Sequence, residues 1–173
     1  EPVPSYFAKI LEFKLLNKGY QIFPNKFALG DEDESAEIKI SKKTIGWNTL
    51  VSKFLVNPEE IKQKLDINVK RLDDYIFDNE LDRKNIALIK IDVEGFEFMV
   101  LKGMTRYFEN TTNFPAIVVE IAAGGYPIRG NSLEDFRNFM RRNGYQAYSL
   151  NEKYKIDICK LENTYDVLFL HSD

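Results

Sequence analysis

The chain has 173 residues, enough for one domain with a substantial core. Hydrophobic residues make up 44% and charged residues 29%, as in ordinary water-soluble domains. The net charge of -3 offers no broad attraction to nucleic acid or anionic lipid, and a single cysteine, Cys159, rules out an intrachain disulfide.

The elements read as follows in chain order. Residues 4–18 carry Tyr6, Phe7, Ile10, Leu11 and Leu15 at helical spacing. Pro4 suits the first turn of that helix and Gly19 its stop. Residues 20–29 are expected to be a strand, interrupted in character by Pro24. After the acidic turn 30–34, residues 36–41 alternate polar and apolar, as a half-buried strand does. Residues 42–64, with the only tryptophan, Trp47, are expected to form a loop with a short helical piece at 58–64. Residues 66–72 look extended and 73–79 helical. The apolar run 86–92 predicts a buried strand, and 94–108 predicts one helix with Phe98, Leu101, Met104 and Phe108 on a stripe. Pro115 introduces a second buried strand at 116–121. Ser132 and Asp135 have the spacing of a capping box for a helix bearing Leu133, Phe136, Phe139 and Met140, which Gly144 ends. Residues 145–150 and 166–171 form strands with no helix between them, hence an antiparallel pair. Strands alternating with helices argue for a mostly parallel α/β sheet. The 86–92 and 116–121 strands should be parallel neighbours, because the intervening helix supplies the crossover.

The seven residues Ile91-Asp92-Val93-Glu94-Gly95-Phe96-Glu97 set two carboxylates at the end of a buried strand. Open α/β sheets bind their ligands there. With Leu88-Ile89-Lys90 before it, this run resembles the signature of the FkbM-type methyltransferases, which use S-adenosylmethionine (SAM). The likeness extends to Glu1-Pro2-Val3-Pro4, Asn25-Lys26-Phe27-Ala28-Leu29-Gly30-Asp31, Leu72-Asp73-Asp74-Tyr75, Leu101-Lys102-Gly103 and Val118-Val119-Glu120-Ile121, in the family's order. It implies a Rossmann-like sheet with an antiparallel tail. The family's first strand and glycine-rich turn fall upstream of Glu1. Residues 1–173 are therefore expected to be a partial domain lacking its first two strands and inactive alone. A gap should then separate the 20–29 strand from the 86–92 strand. Residues 31–64 would be an insertion that, with the loop at 124–130, covers the acceptor.

The resemblance also implies a site. Glu1 and Pro2 would meet the cofactor ribose, and Ala28 and Leu29 its adenine. Asp92 would lie near the sulfonium and, with Glu94 and Glu120, would serve the acceptor hydroxyl as base or anchor. The residues alone leave plainer roles open. Glu1 could be a solvated terminal side chain, and Ala28 and Leu29 ordinary core. Asp92 could cap a helix and Glu94 favour its N-terminus. Glu120 could pair with a lysine or arginine. Asp92, Glu94 and Glu120 could also hold a hard cation through oxygen, although no metal is expected.

Lys90, Asp92, Lys102 and Glu120 resemble more loosely the Lys-Asp-Lys-Glu set of RNA 2′-O-methyltransferases, against which the acidic balance speaks. His171 and Cys159 are expected to have no part in the chemistry, and Trp47 to be a covering hydrophobe. The resemblance thus implies a SAM-dependent O-methyltransferase acting on a sugar, glycan or related metabolite. The alternative is a non-catalytic Rossmann-like module that binds a partner. No membrane span and no nucleic-acid partner are expected, and the lone cysteine and lack of a leader suit the cytoplasm.

Overall fold

A computed structural model describes residues 1–42, 48, 50, 57–81, 83–123, 126–127, 130–151 and 154–172. Trp47 and the Gly124-Gly125 pair lie outside the described residues, so their expected roles go with them. Helix α1 (Pro4–Leu16) is followed by strands β1 (Ala28–Gly30), β2 (Glu34–Ser41) and β3 (Ile61–Arg71), then α2 (Leu72–Asp78) and β4 (Leu88–Ile91). Helices α3 (Glu97–Lys102) and α4 (Thr105–Asn110) lead to β5 (Ala116–Ile121), α5 (Leu133–Arg142), β6 (Tyr145–Ser149) and β7 (Tyr165–His171).

These strands form two sheets, ordered β1-β3-β2 and β4-β5-β7-β6. The β4–β5 pair is parallel, with Leu88 opposite Ala116, and β7 runs antiparallel between β5 and β6. Both pairings follow the sequence pattern. Among the described residues no ladder joins β1 to β4. The sheets are mixed, however, where a mostly parallel sheet was expected. Only β1–β3 and β4–β5 are parallel among the described ladders. The cause is local. β2 and β3 fold back on each other, and the tail strands lack a helical crossover between them.

Three expected elements differ. The strand expected at 20–29 shrinks to β1, because Pro24 cannot donate to a ladder. The helical piece expected at 58–64 is a single 3-10 turn at Pro58–Glu60, and Ile61 begins a strand of 11 residues. Gln63 interrupts its apolar face of Ile61, Leu65, Ile67 and Val69, which conceals the alternation. The long helix expected at 94–108 starts later and breaks between Lys102 and Thr105.

That break follows from a close approach. A Cβ on Gly103 would sit 2.0 Å from the Gly30 carbonyl oxygen, so only glycine lets the end of α3 back onto β1. The second helix is then capped from a distance. Asp73, fully buried on α2, accepts bonds from the Arg106 and Tyr107 amides at 2.9 and 2.7 Å. The Arg71 guanidinium completes its shell at 2.8 Å.

The main core lies between the four-stranded sheet and helices α3, α4 and α5. Leu101, Met104, Tyr107, Ile117, Val119, Phe136 and Val167 are fully buried in it. Each such aliphatic or aromatic side chain contributes roughly 1.5–3 kcal/mol by leaving water. The capping box is present: the Asp135 amide donates to the Ser132 hydroxyl, and the Ser132 amide to the Asp135 carboxylate. It orients α5 so that Phe136 and Met140 face the sheet. A smaller cluster of Val3, Ile38, Ile40 and Ile67 joins the start of α1 to the β2–β3 hairpin.

Candidate active site

Strand β4 stops at Ile91 because the next residues leave extended geometry. Glu94 has φ +53° and Gly95 φ +91°, two left-handed residues in succession. Glycine adopts this freely, whereas a glutamate held there costs about 1–3 kcal/mol unless its surroundings impose it. Glu97 supplies the restraint. It is fully buried, and its carboxylate accepts the Gly95 amide at 2.7 Å and the Tyr126 hydroxyl at 2.9 Å. Burial pushes the Glu97 carboxyl upward, against these hydrogen bonds and those of neighbouring backbone amides. Phe96 occupies the N-cap position of α3 without a side-chain bond. Asp92 is therefore not the cap of α3.

Lys90 on β4 and Asp92 just past its end turn to the same side, as their parity suggests. The Lys90 ammonium lies 3.2 Å from Asp92 Oδ2 and 3.1 Å from Asp166 Oδ1. Burial pulls the Lys90 ammonium down, but the Asp166 and Asp92 hydrogen bonds outweigh it and the net shift is upward. Glu120 stands opposite Asp166 in the β5–β7 ladder, a like-charge pair that Lys90 offsets. Burial, then the Asp92 charge and its hydrogen bond, raise the Glu120 carboxyl. Carboxylate oxygens of Asp92, Glu94 and Glu120 all lie within 4.8 Å of one another. That spacing would also suit a hard cation, although exposed carboxylates often converge without one.

Glu94 is the most perturbed member. Its carboxyl is pushed up to about 7, first by burial, then by the Glu120, Asp92 and Glu97 charges. Such a group exchanges protons near neutral pH, which suits a general base.

The carboxylates open on a cavity of about 920 Å³ between the two sheets. Its lining contains Glu1, Pro2, Ala28 and Leu29 together with Asp92, Glu94 and Glu120. The residues expected to meet the cofactor and the acceptor hydroxyl thus line one cavity, from four separate stretches of chain. Glu1 has one carboxylate oxygen on the Val3 amide, at 2.7 Å, at the start of α1. The lining also includes Tyr6, Phe27, Leu72, Tyr75 and Phe96, which the sequence reading did not assign to the site. The Phe27 and Tyr75 rings pack 5.3 Å apart. The volume lies in the upper range for a small-molecule site.

Other sequence candidates fall elsewhere. Lys102 reaches Asp31 at 3.5 Å and does not line the cavity, so the Lys-Asp-Lys-Glu set is not assembled. His171 stacks on Phe114 with centroids 3.8 Å apart, a packing role. Cys159 is exposed, in a 3-10 turn capped by Asp157. The sequence reading missed the roles of Asp73, Glu97 and Tyr126. Glu97 is the first residue of α3, where an acidic side chain is ordinary, so it gave no signal. Tyr126 gave none.

A protein-family comparison places this geometry. The model described as "Methyltransferase FkbM domain" matches residues 1–147. The chain belongs to that family, whose members are methyltransferases. Comparisons with curated proteins and with solved structures return no match.

Proposed function

We propose that the cavity binds SAM and that the domain methylates a hydroxyl on a sugar, glycan or related metabolite. The observation that carries this reading is the meeting, in one cavity, of two unlike linings. Ala28, Leu29, Phe27 and Leu72 form an apolar wall suited to a flat purine. Glu1 lies near it, with carboxylate oxygens able to accept from vicinal ribose hydroxyls. Asp92, Glu94 and Glu120 bring negative charge that favours the sulfonium and ammonium groups of the cofactor. The donor set therefore fits SAM, which when bound supplies an electrophilic methyl group.

The chain's own residues divide the remaining work. Lys90 fixes the Asp92 carboxylate through its ion pair, so that Asp92 orients an acceptor hydroxyl. Glu94, titrating near neutrality, takes the hydroxyl proton on its carboxylate. Glu120, raised in the same direction, holds or shares that proton with its neighbours. The acidic rim disfavours phosphate-rich acceptors such as RNA, which supports a neutral carbohydrate hydroxyl.

In the same reading, residues 1–173 form part of a Rossmann-like domain. The order β4-β5-β7-β6, with no ladder between β1 and β4 among the described residues, supports this. No described helix is long and apolar enough to cross a membrane. The lone cysteine supports a cytoplasmic setting.

The test is transfer of radiolabelled methyl from SAM to a panel of free sugars and oligosaccharides by the full-length protein. Asp92→Asn should lower turnover roughly 10²–10⁴-fold while the variant still binds the cofactor. Turnover within a few-fold of wild type would remove Asp92 from the chemistry and make Glu94 or Glu120 the principal group.

A further inference from the structure

The Glu94–Gly95 turn is held by a buried pair that itself stands outside the cavity lining. Glu97 is fully buried on α3, and Tyr126, 2% exposed, comes from the segment after β5. Their side chains meet at 2.9 Å, and the other Glu97 oxygen grips the Gly95 amide at 2.7 Å. The Tyr126 ring packs edge-on against Phe136 of α5, so its hydroxyl is aimed by the core. A chain of contacts therefore runs from α5, through Tyr126 and Glu97, to the left-handed turn that presents Glu94. A fully buried carboxylate is a costly way to fill a core, and a hydrophobe would pack without that cost. Its two bonds explain its presence only if the turn's shape matters.

We propose that Glu97 and Tyr126 are positioning residues: their hydrogen bond locks the Glu94–Gly95 turn and so keeps the Glu94 carboxylate beside Asp92 and Glu120. Neither touches the reacting groups. Tyr126 thus ties its own place after β5 to the turn that carries the base. This inference rests on the assignment of Glu94 as the proton acceptor. Its test does not require an acceptor or cofactor.

The charged groups on the elements around Glu94 are Lys90 on β4, Asp92 just past it, Glu120 on β5, Asp166 on β7, and Glu97 and Lys102 on α3, the last paired with Asp31. Across the cavity stand Glu1 and Lys9. Tyr126→Phe leaves every one of these charges in place and removes only the hydroxyl. The experiment is a pH titration of Glu94, followed by carbon-13 NMR of glutamate side-chain carboxyls in the full-length protein. In wild type the midpoint should lie at about 7. If the lock positions Glu94, Tyr126→Phe lets the turn relax toward water, and the midpoint falls by on the order of 1 pH unit. Glu97→Met, which keeps the length and removes both acceptor oxygens, should lower it at least as far.

The Glu97 charge is the weakest of the influences that raise Glu94. A fall of only a few tenths of a unit in Glu97→Met, about what loss of that minor charge alone gives, would overturn the proposal. So would an unmoved midpoint in Tyr126→Phe accompanied by a lowered melting temperature, the mark of a purely structural role. If Tyr126→Phe does not fold, Glu97→Met decides by the same criterion. Calorimetry of the wild type with S-adenosylhomocysteine separates the two readings: no binding there sinks the methyltransferase reading and leaves the lock standing or falling on the titration.

Discussion

Replacing Asp73 by asparagine should unfold the domain more easily than any conservative change at the cavity rim. Three donors converge on this fully buried carboxylate. Tyr107 gives its amide to Oδ1, and Arg106 and Arg71 donate to Oδ2. Asparagine keeps the shape but has one oxygen. Its amide group must then face either the Tyr107 amide or the Arg106 and Arg71 donors. Leaving one buried amide unpaired costs about 1–3 kcal/mol, and losing one hydrogen bond to a charged group costs about 1.5–3 kcal/mol. Arg71 is 29% exposed, so water recovers part of the second term. A net loss of about 3–4 kcal/mol results, within the range for breaking a buried ion pair. For a domain of this size that lowers Tm by roughly 6–16 °C. Circular dichroism during thermal unfolding reads it directly, and a urea midpoint with unchanged slope confirms that stability alone moved. A fall in Tm of less than about 3 °C would refute the capping role.

Gly103→Ala should be destabilising by about 1–3 kcal/mol or more, because its Cβ meets the backbone of Gly30 and α3 must lift from β1. A urea midpoint equal to wild type would contradict that packing. Glu94 should make stability depend on pH. The folded protein keeps its proton to about 7, whereas an unperturbed carboxyl keeps it only to 4.5. Between those values the folded state binds more protons, so rising pH removes stability, by an amount that solvent near Glu94 reduces. In Glu94→Gln the melting temperature should fall less than in wild type between about pH 5 and pH 8, and equal falls would show that Glu94 titrates normally.

The four-stranded sheet was legible because its strands are short apolar runs bounded by polar residues. The crossover after β4 fixed a parallel neighbour, and the missing helix between β6 and β7 fixed an antiparallel one. Strand β3 was not legible through Ile61–Leu65, since Gln63 interrupts the face of Ile61 and Leu65 and leaves three polar residues in a row. The break at Gly103 depends on Gly30, far away in sequence, so no local pattern could place it. The same distinction governs the site. Asp92, Glu94 and Glu120 stand at strand ends, where the motif and its register bring them together. Asp73, Glu97 and Tyr126 act through partners 29 to 34 residues away. Their side chains cap or lock backbone that another element presents, which a linear pattern does not record.

Cofactor binding is the most direct test of the proposed site. Isothermal titration of S-adenosylhomocysteine into the full-length protein should give one site per chain. Glu1→Ala, which removes the carboxylate proposed for the ribose, should weaken it by roughly tenfold or more, the worth of a hydrogen bond to a charged group. No heat at millimolar ligand, or equal affinity in wild type and Glu1→Ala, would contradict the assignment of this cavity to SAM.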